Sequence, residues 1–276
     1  MVNHETIPVS RFAYVEWSWG AKEKQQLITA CKELSEVGFH NIELVRDFVD
    51  IYNGNTTEFL AVMREYEMHP FSFYFMMQPD PMQDVADLYK KIDFMARAGA
   101  EGLVLQGIWD AAPATQEDLD LQLRTITSFG NIAASYGMKV TIHPHHHTKI
   151  MYASDIAYLM QRTDPEQVGL CPDLAHLASA RIDPVSFVKE NIGRIYALHL
   201  KDIEHLSHYF SKDYDIAEEP YASFCALGKG DIDLPAIFQL LKDGGYAGYW
   251  CVEQDAPRTT NLEEAKQNFA YLNTQW

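Results

Sequence analysis

The sequence predicts an α/β protein built as one closed (β/α)8 barrel, the TIM-barrel fold class. Eight short apolar segments with strand character alternate with amphipathic segments of helical period along the chain. Such alternation is typical of a parallel sheet, and 276 residues suit a closed barrel, which usually needs about 250. We therefore expect a single domain that covers residues 1–276.

The predicted strands are apolar runs, several of which break at a polar residue. In chain order they cover residues 11–17, 40–45, 70–76, 101–106, 138–143, 167–172, 194–199 and 248–253. In a parallel barrel the carboxyl ends of all strands meet at one face, and the active site is built there. Polar residues at these strand ends are therefore the candidate functional residues.

The predicted helices lie between the strands, as in residues 22–37, 84–98 and 119–136, where apolar residues recur at intervals of three and four. Glycine follows several helices just before the next strand, in EVGFHN, RAGAEG, SYGMKV and DGGYAG. A left-handed glycine ends a helix at little cost. An open doubly wound sheet would instead need a glycine-rich phosphate loop after the first strand, and WSWGAKEKQ has one glycine.

One predicted connection is much longer than the others. It runs from Asp202 to Asp233, after the seventh strand, whereas connections of a few residues are the rule. This long β7–α7 loop starts on the face where the active site is expected, and it is rich in aromatic residues. We interpret it as a lid or a wall of the substrate site; a tolerated surface insertion is the alternative.

The charge balance limits the partners of the protein. A formal net charge of -17 disfavours nucleic acid, because proteins that bind a phosphodiester backbone normally present Lys and Arg. No apolar run is long enough to span a membrane, and the N-terminus MVNHETIPVS lacks the pattern of a secretory signal. We expect a cytoplasmic protein that acts on a small molecule; the sequence leaves open a homo-oligomer.

The four cysteines do not form a metal-binding or disulfide pattern in the sequence. Cys31, Cys171, Cys225 and Cys251 contain no CxxC pair and are too sparse for a disulfide framework. Cys171 and Cys251 each stand two residues before a polar strand-end residue, on the same strand face. We interpret both as buried apolar side chains.

Four side chains of the metal-binding type end four different predicted strands. They are His143, Asp173, His199 and Glu253, in KVTIHPHHH, VGLCPDLAH, IYALHLKD and YWCVEQD. Because these strand ends converge in a barrel, we expect the four side chains to bind one divalent cation. His143 has an alternative interpretation, a histidine that binds the substrate or supports a ligand. A mixed imidazole and carboxylate set favours Mn, Co, Fe or Zn over Mg or Ca.

Several motifs in the C-terminal half resemble the xylose-isomerase-like superfamily of metal-dependent barrels, and within it most closely the inosose (2-keto-myo-inositol) dehydratase group. They are His143-Pro144-His145 with Thr148, Thr163-Asp164-Pro165, Asp173 with His176, His199-Leu200-Lys201-Asp202, Gly228-Lys229-Gly230-Asp231-Ile232-Asp233 and Val252-Glu253-Gln254-Asp255. The likeness starts at about Gly137; the N-terminal half matches only in pattern. It implies a metal-dependent lyase of inositol catabolism, with manganese or cobalt favoured and zinc or iron open.

Three places depart from the pattern of these relatives. Much of the wider superfamily has Glu where this chain has His143. The dehydratase group tends to have an apolar residue and glycine where this chain has His146-His147, and DTGH where it has Asp173-Leu174-Ala175-His176. The substrate implied by the resemblance is therefore a keto-cyclitol or a keto-sugar, without a finer assignment.

Candidate catalytic residues stand beside the predicted ligands. His145 and His176 are candidates for proton transfer, because an imidazole titrates near neutrality; the alternative is that they support the ligands. Glu253 can serve as ligand and as proton acceptor. Lys201 follows His199 by two residues on the same strand face, where its charge could neutralise an oxyanion; the alternative is a salt bridge.

Candidate substrate-binding residues lie in the first half of the chain. Glu43 ends the second strand, Tyr74 lies in the third, and Gln106 ends the fourth. Trp17 and Trp19 end the first strand and could form an apolar wall for a sugar or cyclitol ring. Ordinary loop hydrogen bonds and packing are the alternatives for all five.

Three classes of function remain open from the sequence. The first is a lyase that removes a proton next to a carbonyl and then expels a hydroxyl group. The second is a ketose or hydroxypyruvate isomerase or epimerase, which needs two acid–base groups; paired glutamates at the ends of the fifth and eighth strands usually supply them, and only Glu253 is present. The third is an apurinic endonuclease or a binding protein, which the missing basic groove disfavours.

Overall fold

The computed structural model describes residues 11–275 and contains ten strands. They are β1 Phe12–Val15, β2 Asn41–Val45, β3 His69–Met76, β4 Gly102–Gln106, β5 Lys139–His143, β6 Val168–Leu170, β7 His199–Leu200, β8 Asp202–Ile203, β9 Phe224–Cys225 and β10 Trp250–Val252. Eight of them form one parallel sheet in the order β6-β5-β4-β3-β2-β1-β10-β7. All eight predicted strands are present.

The two ends of this strand order meet and close the barrel. The N–H of Tyr196 donates to the carbonyl of Leu170 at 3.0 Å, and the N–H of His199 donates to the carbonyl of Pro172 at 3.0 Å. Isolated parallel bridges also join Leu170 with Ile195 and Asp173 with His199. The predicted (β/α)8 barrel is confirmed, and Asp173 and His199 lie side by side at its closing seam.

Eleven α-helices follow or flank the strands in the described residues. They are α1 Lys24–Val37, α2 Phe48–Ile51, α3 Thr56–Glu65, α4 Pro81–Ala98, α5 Gln116–Ala134, α6 Ala153–Met160, α7 Leu174–Ser179, α8 Pro184–Asn191, α9 Leu206–Tyr209, α10 Leu234–Asp243 and α11 Asn261–Asn273. The helix predicted at 22–37 packs Leu27 and Leu34 into the core, and Gly38 ends it with φ of +112°. None of the helices in residues 11–275 is long and apolar enough to cross a membrane.

Several strands are shorter than predicted, and at the first and the seventh a 3-10 turn takes the place of strand residues. The first ends at Val15, because Glu16–Trp19 form one turn of 3-10 helix. The seventh was predicted at 194–199, but β7 begins at His199, and Ile192–Arg194 form another 3-10 turn. The Arg194 guanidinium group donates to the carbonyl of Val168 at 2.9 Å, and this side-chain contact holds the chain close to β6 before β7 begins.

The long segment after β7 is folded rather than irregular. It contains the antiparallel pair β8 and β9, with α9 between them. The buried Asp202 carboxylate fixes its end, because it accepts the N–H groups of Gly228 and Gly230 at 3.0 Å each and that of Ile232 at 3.2 Å. A side chain at Gly230 would meet Asp202 Oδ1 at 2.3 Å, so this loop requires glycine there.

An ionisable group is buried directly after β1. Glu16 is 0% exposed; its Oε1 accepts the N–H of Val45 at 2.9 Å, and its Oε2 has no hydrogen-bond partner among the described residues. Burial raises the pKa of Glu16 from 4.5 to about 8. The folded protein therefore holds this proton over a pH range in which the unfolded chain releases it.

We expect Glu16 to make the protein less stable as the pH rises. The pKa of Glu16 is higher in the folded protein than in the unfolded chain, so the stability that protonated Glu16 contributes is lost as the pH rises through the folded-state pKa. In Glu16→Gln, the amide keeps an acceptor for Val45 but cannot ionise. The fall in the free energy of unfolding between about pH 5 and about pH 8 should be roughly 2–4 kcal/mol smaller in the variant. Urea denaturation at both pH values measures this difference. An identical fall in both proteins would contradict the assignment.

Candidate metal centre and substrate cavity

The four predicted metal ligands meet at the carboxyl end of the barrel. One oxygen or nitrogen atom from each of His143, Asp173, His199 and Glu253 lies within 4.8 Å of the others, and all four side chains are buried. Their strands are distant in sequence but adjacent in space, because β10 pairs with β7 and the barrel closes between β6 and β7. A single cation between these atoms would touch all four residues.

His143 is oriented so that one ring nitrogen is free. Its Nδ1 lies 3.3 Å from the backbone carbonyl of Cys171, which can only accept a hydrogen bond, so Nδ1 is the protonated nitrogen. Its Nε2 is buried and has no hydrogen-bond partner among the described residues. Burial holds the pKa of His143 well below its usual value. The ring is therefore neutral and offers Nε2 as a lone-pair donor, the form in which histidine binds metals.

His199 lies between two carboxylates. Its Nε2 is 2.9 Å from Glu43 Oε1, and its Nδ1 is 2.8 Å from Glu253 Oε2 without the alignment of a hydrogen bond. Burial lowers the pKa of His199, but Cys171, Glu43 and Glu253 together raise it well above its usual value. A cation that displaces the proton from Nδ1 would leave the hydrogen bond from Nε2 to Glu43 intact, which is the usual arrangement of a histidine ligand supported by a carboxylate.

Asp173 caps a helix and keeps one oxygen for the site. Its Oδ1 accepts the N–H groups of Ala175 and His176, at 3.0 Å and 2.9 Å, at the start of α7. Its Oδ2 lies 3.1 Å from the Lys201 ammonium group. Burial raises the pKa of Asp173 to about 7, so a nearby cation would favour the ionised form.

Lys201 is a buried counter-ion rather than a group that faces the substrate. The side chain is 0% exposed, and its Nζ lies 2.6 Å from Asp255 Oδ2, 3.1 Å from Asp173 Oδ2 and 3.2 Å from Glu253 Oε2. It does not line the cavity described below. These contacts support the alternative interpretation of Lys201, a salt bridge, over the predicted neutralisation of a substrate oxyanion.

His145 and His176 form a second cluster with Asp255. The two imidazole rings pack together at a tilt of 36° with their centroids 3.7 Å apart, and His176 Nε2 is 3.6 Å from Asp255 Oδ2. Lys201 Nζ is also 3.3 Å from His176 Nε2, so an ammonium group already supplies positive charge to this cluster. Asp255 was not predicted as a site residue. Its place two residues after Glu253, in the same motif, could have indicated that it lies near the site.

A cavity of about 360 Å³ opens beside these clusters. Its aromatic lining is Trp17, Tyr74, Trp109 and Tyr221; its apolar lining is Val15, Val45, Met76 and Ala256; its polar lining is Gln106, His145, Glu253 and Asp255. None of these described lining residues is Lys or Arg. The aromatic faces and the few polar groups suit a ring-sized molecule with polar substituents.

Three predicted substrate-binding residues line this cavity. Trp17, Tyr74 and Gln106 do so, and the Tyr74 hydroxyl donates a hydrogen bond to the Gln106 side-chain oxygen. Trp109 and Tyr221 were missed, because they lie in connections whose path the sequence does not specify. Tyr221 comes from the long segment after β7, which supports its predicted role as a wall of the site.

Two other predictions need correction. Glu43 is 0% exposed and binds His199 instead of lining the cavity. Trp19 donates from Nε1 to Glu33 Oε2 at 2.7 Å and packs edge-on against Tyr14. The expected aromatic pair required strand geometry, but residues two apart in a 3-10 turn point in different directions. Only Trp17 of the pair therefore reaches the cavity.

His146 and His147 fix the long segment in place. His146 Nε2 is 3.1 Å from the carbonyl of Glu218, and His147 Nδ1 is 3.2 Å from Glu219 Oε1. His147 has a φ of +60°, which turns the chain after the histidine run. Neither His146 nor His147 lines the cavity, whereas His145 does.

Comparisons with known proteins agree on the architecture. A family model described as the xylose isomerase-like TIM barrel matches residues 31–275. An inosose dehydratase of Geobacillus thermodenitrificans (strain NG80-2) is 30% identical over 211 residues, which cover 70% of this chain and 71% of that protein.

Two solved structures share the fold. The IOLI protein with a zinc atom has a TM-score of 0.75 at 16% identity and covers 96% of both chains. L-ribulose 3-epimerase has a TM-score of 0.75 at 15% identity, covering 96% of this chain and 94% of its own.

Proposed function

This chain belongs to the xylose isomerase-like TIM barrel family, and from that membership we propose that it is a divalent-metal-dependent lyase that dehydrates a keto-cyclitol such as 2-keto-myo-inositol. The curated relatives, which are named inosose dehydratase, support a sugar-processing enzyme of the lyase type. The name of the Geobacillus relative supports the finer choice of a dehydratase. The cytoplasm and inositol catabolism are part of this proposal.

Three buried ligand atoms without a hydrogen bond carry the metal part of the proposal. They are His143 Nε2, Asp173 Oδ2 and His199 Nδ1, as judged among the described residues. Asp173 Oδ2 and His199 Nδ1 have only ion-pair contacts, with Lys201 and Glu253. Buried polar atoms without hydrogen bonds are costly, so the convergence of these atoms beside Glu253 suits a bound cation. When bound, a divalent cation would act as a Lewis acid on the substrate oxygens and stabilise developing negative charge by several kcal/mol. Mn or Co is favoured, and Zn or Fe also fits the donor set.

His145 is proposed as the group that moves the proton. Its Nδ1 lies 2.6 Å from the backbone carbonyl of His146, to which it donates, so Nε2 keeps a lone pair. Burial lowers the pKa of His145 to about 4, so the ring is neutral near pH 7 and can accept a proton. In the proposed reaction it takes the proton from the carbon next to the ketone and returns it to the β-hydroxyl group, which leaves as water.

The remaining residues are proposed to hold the ring and the base. His176 packs against His145 at a tilt and limits its rotation, while Trp17 and Tyr74 cover the faces of the bound ring. An epimerase needs a second acid–base group on the opposite face of the substrate. His143, which replaces the expected glutamate, is a neutral ring with a lone pair directed at the ligand cluster, and this favours the dehydratase.

The test is a substrate screen with and without metal. Purified protein is stripped with a chelator, reloaded with Mn(II), Co(II), Zn(II) or Fe(II), and offered keto-inositols, ketoses and hydroxypyruvate. A dehydratase produces a conjugated product, so ultraviolet absorbance should rise with a keto-inositol and stay flat in the stripped protein. Full turnover without metal would refute the mechanism. Epimer formation at constant absorbance would establish the isomerase or epimerase alternative.

Glu43 should act on metal affinity through His199. We expect Glu43→Gln to bind Mn(II) about 10–100-fold more weakly, because a neutral amide holds the histidine ring less firmly and makes it a poorer donor. Calorimetric titration of the stripped protein measures this change. Glu190→Gln, on an exposed face of α8, is the matched control and should bind as the unmodified protein does. Equal affinities for all three proteins would remove Glu43 from the site.

A further inference from the structure

Cys171 lies beside two of the proposed ligands. Its sulphur atom and one nitrogen from each of His143 and His199 lie within 4.8 Å of one another, and all three side chains are buried. We propose that these three residues form a second cation position, which takes thiophilic divalent ions and overlaps the position formed with Asp173 and Glu253. The proposal rests on the proposed function in one respect, because His143 and His199 are also proposed ligands of the working metal.

The geometry requires only a small adjustment. Zinc binds sulphur at about 2.3 Å and imidazole nitrogen at about 2.0–2.1 Å, so ligand atoms around a tetrahedral ion stand roughly 3.3–3.6 Å apart. The three donor atoms lie within 4.8 Å of one another. Side-chain rotations that move each donor atom by about an ångström or less would bring all three to binding distance. Water or a carboxylate oxygen from Asp173 can complete four-coordination.

The chemistry of the donors separates the two positions. A set with two carboxylates favours hard or borderline ions such as Mn(II), whereas a thiolate with two imidazoles favours softer ions such as Zn(II) and Cd(II). Both positions use His143 and His199. Filling one therefore prevents filling of the other, and a thiophilic ion should inhibit the enzyme by competing with its working metal.

Binding at Cys171 involves no change of oxidation state. The S–H bond breaks, the sulphur keeps the electron pair and forms the bond to the cation, and the proton leaves to solvent. No oxidant or reductant is needed. The cation keeps its charge, and the thiol becomes a thiolate ligand.

Cys251 is a natural control. It stands two residues before Glu253, as Cys171 stands two residues before Asp173, and it is also buried. Cys251 packs with Ala13, Val15, Phe71 and Tyr249. Within residues 11–275 it belongs to no group of possible metal donors, so the same substitution there should not affect a cation.

The first experiment is spectroscopic and does not depend on turnover. Metal-free protein is titrated with Co(II) alone, and the near-ultraviolet charge-transfer band of a thiolate–Co(II) bond is recorded. We expect the band in the unmodified protein and in Cys251→Ser, and its loss in Cys171→Ser and Cys171→Ala. Absence of the band from the unmodified protein, or its persistence in a folded Cys171 variant, would overturn the proposal. If neither Cys171 variant folds, the band is recorded in Cys31→Ser, Cys225→Ser and Cys251→Ser. Persistence in all three leaves Cys171 as its source, and loss in any one of them would overturn the proposal.

The second experiment measures selectivity. The ratio of the dissociation constants for Mn(II) and Cd(II) is determined by calorimetric titration in the same proteins. Removing a residue that only supports a metal ligand typically weakens metal binding by roughly 10–100-fold. Cys171→Ser removes a proposed ligand, so we expect it to lower the preference for Cd(II) by more than that. Cys251→Ser should keep the preference of the unmodified protein. An unchanged ratio in Cys171→Ser would overturn the proposal. Failure of the proposed function is distinct, because it appears as missing Mn(II)-dependent turnover, whatever the Co(II) spectrum shows.

Discussion

Replacing Lys201 with Met should destabilise the metal-free protein by about 3–5 kcal/mol, because it leaves buried carboxylates without a counter-ion. The ammonium group is 0% exposed and lies within 3.2 Å of oxygen atoms of Asp173, Glu253 and Asp255. Methionine fills a similar volume but supplies no charge. A loss of this size would be a large part of the stability of a typical domain.

Urea denaturation of the stripped protein measures this loss. The deficit should shrink when the pH is lowered, since Asp173, with its pKa raised to about 7, can then bind a proton and become neutral. It should also shrink when Mn(II) is added, because a cation in the same cluster replaces the missing positive charge. Lys266→Met, at an exposed position of α11, is the control and should change stability by no more than about 0.5 kcal/mol. A Lys201→Met protein as stable as the control would refute the counter-ion role.

The second large effect is expected at Glu253. Its carboxylate lies in the ligand cluster, lines the cavity and is 2.8 Å from His199 Nδ1. Burial raises the pKa of Glu253, but Lys201 and His199 lower it far more, so the group is ionised well below its usual range. A negative charge at this point serves both cation binding and the electrostatic balance around Lys201.

We expect Glu253→Gln to lower kcat/KM for the keto-cyclitol by about 10³-fold or more, because an amide of the same shape does not balance the charge of the cation. Steady-state kinetics at saturating Mn(II), with metal affinity measured separately, distinguishes a loss of binding from a loss of chemistry. Glu190→Gln should retain normal kinetics. A Glu253→Gln enzyme with unchanged kcat/KM would exclude this residue from the reaction and from the metal site.

Local patterns were sufficient for the fold and for the ligand types. The alternation of strand and helix is a short-range property, and so is the polar residue at the end of each apolar run. Together they predicted the barrel and the convergence of His143, Asp173, His199 and Glu253. The same reasoning failed where strand geometry stopped early, as at Trp19, because a 3-10 turn changes the direction of each side chain.

The sequence by itself determined the (β/α)8 architecture and the chemical types of the four proposed ligands, since periodicity and strand-end position can be read within one segment. Only the tertiary structure decided what each ligand touches. Glu43 and His199 are 156 residues apart, yet closure of the barrel makes them hydrogen-bonding partners. Closure also buries Lys201 among carboxylates and brings Cys171 to the two imidazoles. Contacts between distant segments depend on register and barrel closure, and no single segment encodes them.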